Sequence, residues 1–136
     1  MTVTSAWIFG MWDVRRRIVD HRTGAAHSFV GSALVTAGNF VERGEIKVAG
    51  TTLPASRTYK LQSEGSAVSI FFPDGRPFIR LTTATSQSVE HICGADHYAG
   101  RFFFKNGDVW VESWRVRGPG KRYSSLSFNT RRPGYA

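Results

Sequence analysis

The chain has 136 residues, of which 41% are hydrophobic and 21% charged. This length and balance indicate one globular domain, residues 1–136, with a core of its own. No apolar run approaches the roughly 20 residues of a membrane span, and Met1–Trp12 lacks the basic start and long apolar centre of a signal peptide. We therefore expect a cytoplasmic protein. The single cysteine, Cys93, excludes an internal disulfide framework and cannot form a thiolate zinc site alone.

The net charge of +8 is concentrated toward the end of the chain. Eight lysines and arginines lie from Arg101 onward, against Asp108 and Glu112 alone. A positive field attracts nucleic acid, anionic lipid or acidic small molecules without selecting among them, and a solvated basic surface has the same composition. Charge alone therefore permits anionic partners as a class and identifies none of them.

Hydrophobic alternation predicts a succession of short strands after one helical turn. Ser5 is placed to cap a short helix through Ala6, Trp7 and Ile8. Ten strands follow, separated by turns rich in glycine: Trp12–His21, Ser28–Thr36, Asn39–Ala49, Leu53–Gln62, Ala67–Phe72, Phe78–Thr83, Ser88–Cys93, Tyr98–Lys105, Val109–Arg117 and Arg122–Thr130. Closing such a meander removes its unpaired edges. The predicted fold class is all-β, a single antiparallel up-and-down β-barrel of about ten strands with a short N-terminal helical turn.

Period-two alternation also predicts that charged side chains face the barrel interior. Exposed charges mark the outer face of the first, third and fourth strands, which leaves Arg16, Glu42 and Arg57 inside. A two-residue turn at Gly50-Thr51 would set Glu42 opposite Tyr59 and Gly44 opposite Arg57.

The charge pattern of the eighth and ninth strands sends Phe102, Phe104, Trp110 and Glu112 inward. That arrangement requires a three-residue loop from Asn106 to Asp108, with Gly107 in the left-handed conformation.

The turn at Gly94-Ala95 joins two strands that carry the most reactive side-chain types. It brings Tyr98 opposite His91. It also brings Asp96 opposite Cys93, so imidazole, phenol, thiol and carboxylate would meet at one end of the barrel. His91 is then a candidate general acid or base or an axial haem ligand, and Cys93 is a candidate nucleophile. A hydrogen-bonded core histidine beside an inert, buried cysteine explains the same pattern.

Motifs of other activities are absent from the sequence. It contains no phosphate-cradling glycine loop, dinucleotide fingerprint, His-Glu-x-x-His or nucleophile elbow. The segment Phe102–Phe104 among basic residues resembles a stacking platform for single-stranded nucleic acid, but alternation sends two of the three rings inward. We predict no metal site, and the sequence identifies no cofactor and no oligomeric state.

Two resemblances to known families follow from these motifs. Gly10-Met11-Trp12 resembles the Gly-x-Trp of lipocalin-like (calycin) barrels, in which a basic residue of the last strand packs across the tryptophan. Arg131 or Arg132 is the candidate here, and an ordinary core tryptophan is the alternative. Longer segments resemble a bacterial and fungal family catalogued only as a domain of unknown function: Phe72–Phe78, His91–Tyr98 and Trp114–Lys121. This resemblance covers nearly the whole chain, and it implies a small lipocalin-like barrel without any established activity or ligand.

The inward polar residues lead to two hypotheses for function. The first is a barrel that binds one small anionic or polar-aromatic ligand among Arg16, Glu42, Arg57, Tyr59, His91, Tyr98 and Trp114. Glu42 neutralises one of the two inward arginines, so excess positive charge would favour a carboxylate or phosphate, although a purely structural network is the alternative. The second is a small enzyme in which His91, Cys93 and Asp96 act on an anionic substrate held by Arg16 or Arg57.

Overall fold

The computed structural model describes residues 5–134, which form one short helix and ten strands. A 3₁₀ helix spans Ser5–Ile8. The strands are β1 (Gly10–Asp20), β2 (Ala26–Val35), β3 (Asn39–Val48), β4 (Thr51–Glu64), β5 (Ala67–Phe71), β6 (Pro77–Leu81), β7 (Ser86–Cys93), β8 (Asp96–Lys105), β9 (Val109–Arg117) and β10 (Arg122–Arg131). Every predicted strand agrees with an observed one to within two residues at both ends.

Some of the sequence-based expectations concern residues that the structure does not describe. The first four residues of Met1–Trp12 and the side chain of Ser5, the predicted helix cap, lie outside the described part of the chain. Within residues 5–134, no helix is long and apolar enough to cross a membrane.

The strands form one antiparallel up-and-down sheet that curls into a nearly closed barrel. Strands that follow one another in the chain are neighbours, and β1 also pairs with β10. The two ends of the sheet, β6 and β7, meet at a seam. There the side-chain amide of Gln87 accepts a hydrogen bond from the Thr82 N–H (2.9 Å) and donates one to the Thr82 carbonyl (2.8 Å). The predicted all-β barrel is confirmed.

The 3₁₀ helix lies across one end of the barrel, which we call the closed end. The guanidinium of Arg131 lies 4.3 Å from the centre of the Trp12 ring and donates a hydrogen bond to the Trp7 carbonyl oxygen at 2.8 Å. This is the contact expected from the Gly-x-Trp resemblance. Arg131 makes it, because Arg132 turns outward and binds Asp13. The opposite end, where the turn at Gly94 and Ala95 lies, is the mouth.

The turn between β3 and β4 sets the register of the charged residues. It consists of Ala49 and Gly50, both in the left-handed region with φ of 49° and 80°. Glu42 therefore pairs with Arg57, and the predicted pairing of Glu42 with Tyr59 is wrong by two residues. Because the shift is even, every side chain keeps its predicted face.

The same shift changes the partner of Gly44, which pairs with Ala55 and not with Arg57.

Between β8 and β9 the predicted three-residue loop is correct, since Lys105 pairs with Val109. Both Asn106 and Gly107 adopt left-handed conformations there, with φ of 54° and 69°. The inner face of the barrel is consequently continuous, and its buried apolar residues include Trp12, Val14, Phe29, Ala33, Val35, Leu61, Leu81, Phe102, Trp110 and Val116.

Candidate functional site

Two arginines and two glutamates form a charged cluster inside the barrel. The two terminal nitrogens of Arg16 each donate to a different carboxylate oxygen of Glu42, both at 2.8 Å. Arg16 Nε donates to Ser127 Oγ at 2.6 Å, and the guanidinium lies 5.2 Å from the centre of the Phe29 ring. A bidentate pair with a third hydrogen bond fixes the orientation of the guanidinium. Arg16 therefore has partners for all three of its nitrogens.

Two facing glycines make room for the ring against which Arg16 packs. Gly31 of β2 pairs with Gly44 of β3, and the Phe29 ring lies across both. A Cβ atom at Gly31 would lie 2.8 Å from Phe29 Cζ, and one at Gly44 would lie 2.9 Å from it. The same Cβ atoms would lie 2.2 Å from the carbonyl oxygens of Arg43 and Val30, so any side chain at either position would displace the backbone as well as the ring.

Arg57 is held less tightly than Arg16. Its hydrogen bonds to Glu42 Oε2 and Tyr59 Oη measure 3.4 and 3.5 Å, at the long limit for such bonds. Its Nε lies 3.0 Å from Glu42 Oε1 but is not aligned for a hydrogen bond. The Arg57 side chain is 36% accessible against 9% for Arg16, although both line the same open cavity. Arg57 thus retains donors for a further partner.

Glu112 balances the charge of the cluster. Its Oε2 accepts a hydrogen bond from Trp114 Nε1 at 3.0 Å, and its Oε1 lies 3.8 Å from Arg57 Nη2. Two carboxylates consequently face two guanidiniums. Glu112 lies inside, as alternation predicts, and the expected excess of positive charge is wrong because this second carboxylate opposes Arg57.

Attraction between these charges outweighs the cost of burial. Burial raises the pKa of Glu42, but the hydrogen bond from Arg16 and the charge of Arg57 bring it below its ordinary value of 4.5. Burial lowers the pKa of Arg57, and the carboxylates of Glu112 and Glu42 more than reverse this, so it rises above its ordinary value. These groups are therefore charged at neutral pH.

Two cavities adjoin the charged cluster. The inner cavity, of about 40 Å³, is nearly filled by apolar side chains. The outer cavity opens toward the mouth and measures about 210 Å³. Its polar lining contains both arginines and neither glutamate, and consists of Arg16, Arg57, Tyr59, Tyr98, Tyr123 and Ser125. The outer cavity therefore presents guanidinium groups and hydroxyls while the carboxylates face elsewhere.

Phe78 lies between the two cavities and contributes to both linings. Its ring is stacked between those of Tyr59 and Trp114, with centroid distances of 5.4 Å and interplanar angles of 14° and 17°. Phe78 follows the first residue of β6, so its side chain reaches inward beside the seam. We call these three rings the aromatic stack, and all three line the outer cavity.

His91 lies at the seam among aromatic rings. The centres of the Phe72 and Phe78 rings are each 5.3 Å from the imidazole, and that of Tyr98 is 5.7 Å away. No hydrogen bond joins the imidazole to another side chain in residues 5–134. Acid–base catalysis requires an orienting partner within hydrogen-bond reach. The arrangement therefore gives no support to the alternative of a small enzyme that uses His91.

The four reactive groups near the mouth do not meet at one point. Tyr98 pairs with His91, and Asp96 with Cys93, in the predicted register. However, the Asp96 carboxylate lies 3.2 Å from Lys121 Nζ, which donates to Tyr98 Oη at 3.0 Å. The hydrogen bond to Tyr98 raises the pKa of Lys121, and the interaction with Asp96 raises it further. Cys93 ends β7 and its free thiol is exposed. The predicted constellation is thus replaced by a Lys121–Tyr98–Asp96 cluster at the rim.

Several residues of the site escaped the sequence-based prediction, among them Phe78, Lys121 and Tyr123. Alternation in β6 and β10 could have placed Phe78 and Tyr123 inside the barrel. Burial and the neighbouring Tyr98 raise the pKa of Tyr123, which keeps its hydroxyl protonated. Lys121 lies in a turn, where alternation does not predict which way a side chain points. In the described part of the chain, no group of three or more His, Cys, Asp or Glu side chains is arranged to hold a metal ion.

The chain resembles solved structures of other proteins. The solved structure of the S-type phycobiliprotein lyase CPES from Guillardia theta matches with a TM-score of 0.56 at 12% identity, over 96% of this chain and 91% of that one. The structure of EF1p2_mFAP2b bound to DFHBI matches with a TM-score of 0.48 at 8% identity, over 94% and 96%. Likeness at such identities concerns the fold and not the activity. No curated protein matches the sequence. The model of a family of unknown function, DUF6314, matches residues 8–131, and the chain therefore belongs to that family.

Proposed function

We propose that the barrel binds one small aromatic acid in the outer cavity, with its acid group on Arg57 and its ring against the aromatic stack. The contrast between the two interior arginines carries this proposal. Arg16 makes hydrogen bonds of 2.6 and 2.8 Å, whereas those of Arg57 measure 3.4 and 3.5 Å, and of these two cavity-lining side chains Arg57 is the more accessible. A guanidinium with spare donors suits bidentate recognition of a carboxylate.

The polar lining of the outer cavity also favours a ligand rich in acceptors. Besides Arg57 it contains the hydroxyl groups of Tyr59, Tyr98 and Tyr123. Lys121 adds a cation at the rim through its hydrogen bond to Tyr98. Glu42 and Glu112 contact the arginines but do not line this cavity. Past the Asp96 carboxylate at the rim, which Lys121 neutralises at 3.2 Å, an anion in the outer cavity thus meets donors before it meets Glu42 or Glu112.

The dimensions of the cavity favour a ligand with a single ring. Its volume of about 210 Å³ is below the range of roughly 300–1,000 Å³ typical of sites for drug-sized ligands. The inner cavity of about 40 Å³ has room for little more than a few water molecules. A larger ligand would have to displace Phe78. An acid built on one aromatic ring matches the space as it stands.

Isothermal titration with 4-hydroxybenzoate tests this proposal, with neutral 4-hydroxybenzamide as the matched probe. The acid should bind more tightly than the amide, because only the acid forms a charge-assisted pair with Arg57. Replacing Arg57 with Met should weaken binding of the acid by about tenfold or more, since hydrogen bonds between charged groups contribute roughly 1.5–3 kcal/mol. Thermal shifts should follow the same order, because ligand binding stabilises the native state by mass action.

The exposed Arg117 provides the control for general electrostatic attraction. Arg117→Ala removes the same charge from the outer wall and should leave the affinity for 4-hydroxybenzoate unchanged. Equal affinity for acid and amide, or an equal loss in the Arg57→Met and Arg117→Ala variants, would contradict the proposal.

A further inference from the structure

The outer face of four neighbouring strands, β1, β10, β9 and β8, is strongly and unusually basic. Six exposed arginines project from it, and we call this surface the arginine face: Arg15, Arg17, Arg101, Arg115, Arg117 and Arg122. Nowhere in residues 5–134 does a carboxylate form an ion pair with any of these six. The acid on the outer face of these strands, Asp13, is already bound to Arg132.

Like charges on the arginine face stand directly opposite one another. Arg117 of β9 pairs with Arg122 of β10, and both side chains are exposed. Facing like charges destabilise a sheet. A shallow groove of about 590 Å³ runs along these residues and also contains Arg115 and His21. Folding does not require this concentration of positive charge, and an anionic partner would neutralise it.

Exposed aromatic rings lie within the same surface. Phe128 of β10 and Phe103 of β8 are about half exposed, at 51% and 48%. Both pair with Val111 of β9, from opposite sides, so the two rings occupy one row across the sheet. With neighbouring strands spaced about 4.8 Å apart, the strands β8 and β10 that carry the two rings are about 10 Å apart. Arg15 continues the row beyond Phe128.

We propose that the arginine face binds single-stranded nucleic acid, with phosphates on the guanidiniums and bases stacked on Phe103 and Phe128. Sequence-tolerant binding of single strands combines cationic tracks with aromatic rings on which bases stack. The use of arginine supports this partner over an anionic membrane. Guanidinium groups bind phosphate in a bidentate manner and stack on bases, whereas a lipid surface attracts lysine equally well. On the outer face of these described strands, lysine occurs at Lys105 alone.

The test is fluorescence anisotropy with a labelled oligouridylate of about 12 nucleotides, titrated at several salt concentrations. The logarithm of the affinity should fall linearly with that of the salt concentration. The double variant Arg115→Gln/Arg117→Gln should reduce the slope by about 1.4, since each neutralised phosphate on a single strand contributes about 0.7. Phe128→Ala should weaken binding by about 5- to 150-fold without changing the slope, because it removes stacking and no charge.

Matched variants lie on the other side of the barrel. Arg43→Gln on β3 and Leu53→Ala on β4 change an exposed arginine and an exposed apolar residue outside the arginine face, and neither should alter the affinity. Circular dichroism should show native spectra for all these surface variants. The Arg57→Met variant should bind the oligonucleotide as the parent does, which separates this proposal from that of the small ligand.

Several results would overturn the proposal. An Arg43→Gln variant as defective as the arginine-face variant would mean that only net charge matters. Unchanged affinity of the Phe128→Ala variant would exclude stacking, and so would tighter binding of a duplex than of a single strand. Binding to phosphatidylserine vesicles that depends on Phe128, without binding to the oligonucleotide, would assign the surface to a membrane.

Discussion

The interior and the outer wall of this barrel hold arginine in opposite ways. Inside, Arg16 and Arg57 share the carboxylates of Glu42 and Glu112. On the arginine face, six guanidiniums have no acidic partner among the described residues. Burial explains the difference. An unpaired charge costs several kcal/mol when it is removed from water, whereas water and salt screen an exposed charge at little cost.

The outer wall itself is not uniform. Around β5 and β6, exposed arginines have local acidic partners: Arg80 lies 3.1 Å from Glu64 and Arg76 lies 2.7 Å from Asp74. Exposure therefore does not by itself leave arginines unpaired in this protein. The interior pairs are a condition of folding, whereas the unpaired charges of the arginine face are free to meet a partner. The following variants test both halves of this contrast.

Loss of the central carboxylate should produce the largest effect. Glu42→Gln leaves the bidentate Arg16 and part of Arg57 without a counter-charge, and breaking a buried pair costs about 3–5 kcal/mol. Urea unfolding monitored by tryptophan fluorescence measures this loss. Glu45→Gln, on the exposed face of the same strand, should change stability by less than about 0.5 kcal/mol. If the two variants are equally stable, the interior charges are solvated and the contrast fails.

Acid should remove part of the same stabilisation. The pKa of Glu42 is lower in the folded protein than its ordinary value of 4.5, because the hydrogen bond and charges of the arginines outweigh burial. Its contribution is therefore complete above about pH 4.5 and is lost as the pH falls through the folded pKa. Urea titrations between pH 7 and pH 3 should show this decline, and the Glu42→Gln variant should show a flatter profile. Parallel profiles would mean that other carboxylates control the acid transition.

Glu112 should matter less than Glu42. It lies 3.8 Å from Arg57 and makes a hydrogen bond with Trp114 that glutamine can preserve through its carbonyl oxygen. We expect Glu112→Gln to cost about 1–2 kcal/mol. The same variant should strengthen binding of 4-hydroxybenzoate, because Arg57 then lacks one competing carboxylate. A loss of stability as large as that in Glu42→Gln would show that Glu42 and Glu112 contribute equally to the stability of the charged cluster.

Much of this architecture follows from alternation within strands. Alternation gives the ten strands, the inner positions of Arg16, Glu42 and Arg57, and the pairing of His91 with Tyr98, because each depends on residues close in the chain. The placement of Phe78 between Tyr59 and Trp114 depends instead on how the seam between β6 and β7 closes. Such contacts join residues that are distant in the sequence, and no local pattern encodes them.

The register and the fate of individual side chains were harder to predict for similar reasons. The β3–β4 turn could begin at either of two glycine-containing pairs, and alternation does not distinguish them because the two registers place every side chain on the same face. The structure uses Ala49 and Gly50, both in the left-handed conformation. The sequence allows Asp96 to contact His91 or Lys121. In the structure it contacts Lys121, which lies in the turn after β9. Which of these contacts forms depends on the folded barrel and not on the local sequence.

The smallest expected effect concerns the arginine face and depends on salt. Arg117 stands opposite Arg122, so Arg117→Gln should stabilise the fold slightly, by no more than about 0.5 kcal/mol, at low ionic strength. The gain should vanish in about 1 M salt, where the screening length falls to roughly 3 Å. Urea unfolding at both salt concentrations measures it. The control is Arg43→Gln, because Arg43 faces Ser32 and Ser56 and should show no such salt dependence. A loss of stability in Arg117→Gln at low salt would instead reveal a favourable contact of Arg117 within the fold, and the arginine face would then need no partner to account for its charge.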